Sequence, residues 1–171
     1  MGRLLNLFVD ICLLRAGPQQ LPASPFLLWL TALLSLVSGA LVIVNTFGSL
    51  AVAAMAQLVD MLLLLGLLRL SLLLFNRSAR FLQAATALLG TSLLINLLAM
   101  PLQLLIQPDP SASFLAELGV LFYLAVVIWA LVIIGHIFRC ALEIRLIMGV
   151  AIALGYFLSV SALVQSLLPV T

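Results

Sequence analysis

Long apolar runs, separated by short polar or proline-containing segments, are the main pattern in this chain. Five runs are long enough to cross a bilayer, because about 20 apolar residues in a helix span its hydrocarbon core. The predicted spans are residues 26–47, 50–75, 81–106, 114–138 and 146–168. The sequence therefore predicts an all-α polytopic membrane bundle of five transmembrane helices, forming one domain over residues 1–171.

The segment before the first span, residues 3–16, is mostly apolar but too short to cross the membrane. Arg3, Asn6 and Asp10 have a spacing that places them on one helical face, with apolar residues around the rest. That pattern is typical of an amphipathic helix lying in the membrane interface. A helix packed against the bundle is the alternative, and the two arrangements are compatible.

The amino-acid composition indicates that this chain is surrounded by lipid. It is 66% hydrophobic and 7% charged, whereas a soluble domain is about 45–50% apolar and about 25% charged. The formal net charge of +2 is small and dispersed, which excludes nucleic acid as a partner and leaves the lipid bilayer as the expected one.

Basic residues predict the orientation of the bundle. Arg77 and Arg80 lie in the turn between the second and third spans, and Arg139 and Arg145 flank the turn between the fourth and fifth. The remaining arginines, Arg3, Arg15 and Arg69, lie toward the same side. The positive-inside rule then predicts a cytoplasmic N-terminus and an external C-terminus. This basic face is expected to attract anionic lipid headgroups. His136 beside it is interpreted as part of an interfacial anchor, with a pH sensor as the alternative.

Asp60 is the acid predicted deep inside a span, so a functional role is the first hypothesis. Polar residues predicted near the same depth on the other spans are Ser38, Asn96, Tyr123, and Ser159 or Ser161. In one hypothesis Asp60 is a proton- or ion-coupled site that Asn96 and Tyr123 orient. In the other it is a hydrogen-bonded staple between helices. Gln57, one turn away on the same face, fits either hypothesis.

The sequence contains no catalytic motif of the GxSxG, HExxH, P-loop or paired-acid kind. Cys12 and Cys140 have neither CxxC spacing nor a cluster of His and Cys partners, so no metal site is predicted. We therefore expect a protein that is not an enzyme and has neither catalytic residues nor a cofactor.

A layout-level resemblance follows from the N-terminal segment. The short amphipathic helix and the proline-punctuated hinge, residues 14–18 and 21–25, precede five compact spans. This layout resembles small bacterial membrane proteins of the Yip-domain type. The resemblance implies a helical protein of the bacterial inner membrane, linked to membrane organisation or trafficking. It carries no functional residue onto this chain.

Two main functional hypotheses follow. The first is a non-enzymatic scaffold or accessory subunit that associates with other membrane proteins or with a second copy of itself. Small residues four apart favour it, because they allow close helix contact: Ser35 with Gly39, Gly149 with Ala153, and Ala151 with Gly155. The second is a small proton- or ion-coupled transporter or channel centred on Asp60. A lipid-modifying membrane enzyme is the third and least favoured.

Overall fold

The chain folds into six α-helices in a computed structural model that describes residues 2–105 and 114–167. The helices are α1 Gly2–Cys12, α2 Pro25–Phe47, α3 Leu50–Leu74, α4 Phe81–Leu105, α5 Phe114–Leu142 and α6 Leu146–Leu167. Five of them are long and apolar enough to cross a membrane, so the predicted fold class is confirmed. The predicted last residues of the third and fifth spans, 106 and 168, lie outside the described residues.

The first span shows how local sequence sets the helix limits. The Ser24 hydroxyl accepts a hydrogen bond from the Leu27 backbone N–H at 3.4 Å, and Pro25 follows as the first helical residue. Proline suits that position because its missing N–H would have had no partner within the helix. At the other end Gly48 has φ of 64° and donates its N–H to the Val44 carbonyl. The resulting tight turn brings α3 back beside α2.

Three residues other than glycine have a left-handed backbone within the described ranges: Leu14 (φ 61°), Asn76 (φ 57°) and Glu143 (φ 58°). Each comes directly after a helix or within two residues of its end. Asn often adopts this conformation, whereas it is unusual for Leu. A left-handed residue therefore marks the end of each of α1, α3 and α5.

Each span packs mainly against particular neighbours. The principal pairs are α2 with α3, α2 with α4, α4 with α5 and α5 with α6, whereas α3 and α6 meet along few contacts. The turns at residues 76–80 and 143–145 lie at the same end of the bundle, which we call the basic end. The weak α3–α6 contact leaves a seam along one side of the molecule.

The N-terminal arm, residues 2–24, packs into the bundle as the alternative prediction has it. The Phe8 ring lies where a side chain on Gly90 would be, nine residues into α4 and so about 14 Å from the start of that helix. The Trp129 indole donates to the carbonyl of Cys12 at 3.0 Å. The buried apolar residues of the arm are Phe8, Ile11, Cys12, Ala16 and Leu21. Arg3 and Asn6 stay exposed, so the amphipathic pattern matches a buried face and an exposed one.

Helices α5 and α6 cross at two glycines. A Cβ atom on Gly135 would lie 2.7 Å from the backbone N of Val150, and one on Gly149 would collide with the Gly135 carbonyl oxygen. Ala153, one turn further along α6, is fully buried. This pair of small residues therefore serves contact within the chain.

The other small-residue pairs divide between inside and outside. Ser35 and Gly39 are buried, and a Cβ atom on Gly39 would collide with the side chain of Gln57. Ala151 and Gly155 are exposed, and a Cβ atom on Gly155 would meet nothing within 4 Å. Of the three predicted pairs, only Ala151 with Gly155 thus remains available to a partner.

Candidate functional site

A cavity of about 250 Å³ lies between the five spans. Every span contributes to its wall, for example Gly39 of α2, Asp60 of α3, Asn96 of α4, Tyr123 of α5 and Tyr156 of α6. Most of the remaining lining residues are aliphatic. The volume holds several water molecules, since one occupies about 30 Å³ in the liquid.

Asp60 is the acidic group of this cavity. It lies ten residues into the 25-residue helix α3, about 15 Å from the start, and is therefore close to mid-membrane. The Tyr156 hydroxyl lies 2.6 Å from its Oδ1 and 2.7 Å from its backbone carbonyl oxygen, and the Gln57 Nε2 donates to Oδ2 at 3.5 Å. A phenol has one proton, so Tyr156 shares it between the two oxygens.

Asp60 has no cationic partner in the described part of the chain. Both ion pairs found there involve Glu143 at the basic end. Arg69, on the same helix as Asp60, instead lies over the ring of Phe81, with 5.2 Å between its guanidinium carbon and the ring centroid. Neutral donors alone therefore contact the carboxyl group, and its other lone pairs remain free for water, a proton or a cation.

All four residues predicted for an intramembrane site, Asp60, Gln57, Asn96 and Tyr123, line this one cavity. Their bonds differ from the predicted ones. Asn96 donates to the Ser38 hydroxyl at 3.2 Å, and Tyr123 lines the wall without bonding Asp60. Neither residue orients the carboxyl group directly.

Tyr156 is the residue that sequence reasoning missed. Matching residues by backbone depth selected Ser159 or Ser161 on α6, but Ser159 is exposed and donates to the Gly155 carbonyl of its own helix. A tyrosine hydroxyl lies far from its own backbone, so a residue at a different depth can reach Asp60. The usable signal was chemical, because a buried tyrosine hydroxyl nearly always has a hydrogen-bond partner.

The predicted basic face divides into two parts. Arg77 and Arg80 both pair with Glu143, and Arg80 also donates to the Cys140 and Ala141 carbonyls at 3.4 and 3.3 Å. Hydrogen bonds from Arg77 and Arg80 lower the pKa of Glu143 to about 2. The second part is Arg139 and Arg145, which are exposed and form no ion pair within the described ranges.

A second polar cluster ties the arm to α4 and α5. The Gln83 amide donates to the Gln19 and Leu21 carbonyls at 3.2 and 2.8 Å, and the Gln19 amide donates to the Cys140 carbonyl at 2.7 Å. Inside a membrane, non-helical backbone occurs only where other groups of the protein form hydrogen bonds with its N–H and C=O groups. These amides therefore stabilise the non-helical part of the arm.

His136 belongs to the same cluster. It is 5% exposed, and its Nε2 lies 3.0 Å from the Ala16 carbonyl oxygen. Because a carbonyl only accepts, Nε2 carries the proton, and the unpartnered Nδ1 is an acceptor in the neutral ring. His136 thus anchors the arm from a buried position.

Within residues 2–105 and 114–167, no three His, Cys, Asp or Glu side chains come together as a metal site would need. Comparison with protein-family models, curated proteins and solved structures found no match to this chain. The resemblance to the Yip-domain type therefore stays a prediction from layout.

Proposed function

We propose that this integral membrane protein is a small proton- or ion-coupled transport protein in which Asp60 is the cation-binding group. One observation carries the proposal: a carboxyl group near mid-membrane faces a cavity lined by all five spans and meets only neutral donors there. Ionisable groups at that depth are costly, so they usually mark a path for an ion or a proton. We also propose that the protein is not an enzyme.

Packing weakens the support for the scaffold hypothesis. Two of the three small-residue pairs are used inside the bundle, and the arm is docked on the chain's own helices. The exposed pair Ala151 and Gly155 still favours association with a second copy or another membrane protein. This pair supports the scaffold as the second candidate function. Cross-linking of single cysteines at these positions in native membranes tests it. Dimers formed only from that face would support it.

Orientation is part of the proposal. The basic end would face the cytoplasm of a bacterial inner membrane, where Arg139 and Arg145 would contact anionic headgroups. The Yip-like layout supports the same orientation. Reporter fusions at residues 78 and 110 test it, and we expect the first in the cytoplasm and the second outside. Both reporters in one compartment would contradict the orientation and the span between them.

The transport proposal is tested with purified protein in liposomes. Fluorescent dyes report proton, Na⁺ or K⁺ entry under an imposed gradient, for wild type, Asp60→Asn and the control Glu117→Gln. Glu117 is an exposed acid on α5 outside the cavity lining, so its loss removes a carboxylate without altering the site. We expect flux in wild type and in Glu117→Gln, and background leak in Asp60→Asn. Equal flux in a folded Asp60→Asn protein would overturn the proposal, as would no flux in wild type.

A further inference from the structure

We infer that the ligand of this cavity is a lipophilic organic cation that enters sideways from the bilayer between α3 and α6. Its ammonium or phosphonium centre would pair with Asp60, and its apolar part would occupy the seam between the two helices. The inference rests on the proposed function and names the substrate class and the entry route.

An outer groove follows the α3–α6 seam. It has a volume of about 480 Å³ and lies between Leu63 and Leu67 of α3 and a strip of α6. The α6 residues of the groove are Ile152, Gly155, Tyr156, Ser159, Val160 and Leu163. Its walls are almost entirely apolar, and α3 and α6 otherwise touch little. A hydrocarbon tail would fit these walls, whereas a hydrated ion would have to lose its water.

Tyr156 is the wall between the groove and the cavity. It lines both spaces, and its hydroxyl is the group that bonds Asp60. Beside it, Gly155 presents no side chain, and a Cβ atom there would meet nothing within 4 Å. In this proposal a change of the Tyr156 rotamer would break both contacts of its hydroxyl with Asp60 and join the two spaces. Among the described residues, Tyr156 alone is common to the walls of the groove and of the cavity that contains the carboxyl group.

The chemistry of the joined space matches an amphiphilic cation. Asp60, when ionised, supplies a negative charge that no arginine of the described ranges neutralises. The rings of Tyr123, Tyr156 and Phe157 stand in the same wall and suit a cation with alkyl or aryl substituents. Most of the other wall residues are aliphatic and suit the apolar part of such a cation, whereas the side-chain oxygens of Gln57, Ser92 and Asn96 could bind a smaller coupling ion. Charge and shape therefore select the same class of ligand.

The test measures binding of radiolabelled tetraphenylphosphonium to full-length protein in nanodiscs. Competitors are tetramethylammonium, hexyltrimethylammonium and dodecyltrimethylammonium, which share a head and differ in tail length. We expect competition to strengthen with the tail. Loss of the charge partner in Asp60→Asn should weaken binding about thirtyfold or more.

The entry route has a matched pair of variants. Gly155→Phe fills the groove, and Gly66→Phe places the same ring at an equally open glycine of α3 that does not line the groove. We expect Gly155→Phe to weaken binding of the tailed cations roughly tenfold, from steric overpacking, and Gly66→Phe to leave it unchanged. Equal binding by both variants overturns the sideways route.

Outcomes separate the inference from the proposed function. Asp60-dependent flux of protons or inorganic cations, without binding of tetraphenylphosphonium, would overturn the inference and leave the proposed function standing. Flux and binding that are both unchanged in Asp60→Asn would overturn both. Competition that is independent of tail length would also overturn the inference, because the groove would then contribute nothing.

Discussion

The two halves of the bundle are built differently from the same helices. In the half near the basic end, which we call the arm half, the N-terminal arm packs against α4 and α5. Large side chains such as Ile137, Phe138 and Leu142 are almost completely buried there. In the opposite half, the cavity half, the buried apolar cluster comprises Val42, Ala99 and Val126, and a cavity of about 250 Å³ separates the helices.

This contrast matters because lipid removes the usual reason for helices to associate. Acyl chains are as apolar as leucine, so close packing and hydrogen bonds must hold the helices together. The arm half has both, since Gln83, His136 and Trp129 each bond a carbonyl of the arm. In the cavity half, the side chains around Asp60 are less closely packed. Protein interiors are usually closely packed, and this difference is one reason for our proposal of a ligand here.

The largest loss of stability is expected from a substitution at the α5–α6 crossing. Replacing Gly149 by Leu forces a side chain into the Gly135 carbonyl, a backbone atom that cannot move alone. We expect a loss of about 3 kcal/mol or more in the free energy of unfolding. Denaturant titration in mixed micelles measures it. The control Gly66→Leu adds the same side chain in open space and should change stability little. Equal stability of the two variants would refute the close crossing.

The fold was predictable because the membrane restricts it. A bilayer of fixed thickness demands spans of fixed length, and runs such as residues 26–47 meet that demand by composition alone. Depth along a span follows from the rise per residue, which is why Asp60 and Asn96 were expected together. Both line the cavity.

Rotation about the helix axes was not predictable. A span that is apolar all round has no polar face to show which side turns inward. Depth alone therefore selected Tyr123, which lines the wall, and missed Tyr156, which bonds Asp60. The arm was ambiguous for a related reason, since lipid and protein are equally good solvents for the face that carries Phe8 and Ile11. Donors on α4 and α5 bond the carbonyls of the arm and hold it against the protein. These contacts can be recognised only in the three-dimensional structure.

A second prediction concerns the arm itself. Phe8→Ala empties the space against Gly90, and we expect a loss of about 2 kcal/mol. This is less than in a water-soluble core, because lipid lowers the transfer share of the cost. Leu5→Ala is the control, since Leu5 is 59% exposed and should be nearly neutral. The same titration measures both variants. A neutral Phe8→Ala would show that the arm contributes no cohesion, and the contrast between the halves would disappear.

The cavity half should respond in the opposite direction. Ala130 lines the cavity, and Ala130→Leu would place three more carbons in empty space. We expect stability to stay level or rise by up to about 1 kcal/mol, as is common for cavity filling. Cation flux in liposomes should fall to the background leak. Full flux in a folded Ala130→Leu protein would show that transport does not depend on the cavity.

The smallest effect is expected from the ion pairs at the basic end. Glu143 has a pKa of about 2, lowered from its usual 4.5 by hydrogen bonds from Arg77 and Arg80. A lowered pKa in the folded state means that the ion pairs stabilise fully above pH 4.5 and lose that contribution as the pH falls from there toward 2. Glu143 is half exposed, so screening keeps the change small, and salt should reduce it further.

Glu143→Gln should flatten this acid dependence of the unfolding midpoint, whereas Glu117→Gln, an exposed acid outside both ion pairs, should leave it intact. Thermal unfolding followed by circular dichroism, from neutral to acidic buffer at low and high salt, measures both. If wild type and Glu143→Gln lost stability in parallel on acidification, the pairs would contribute nothing. The cohesion of the arm half would then come from its buried packing and its bonds to the arm alone.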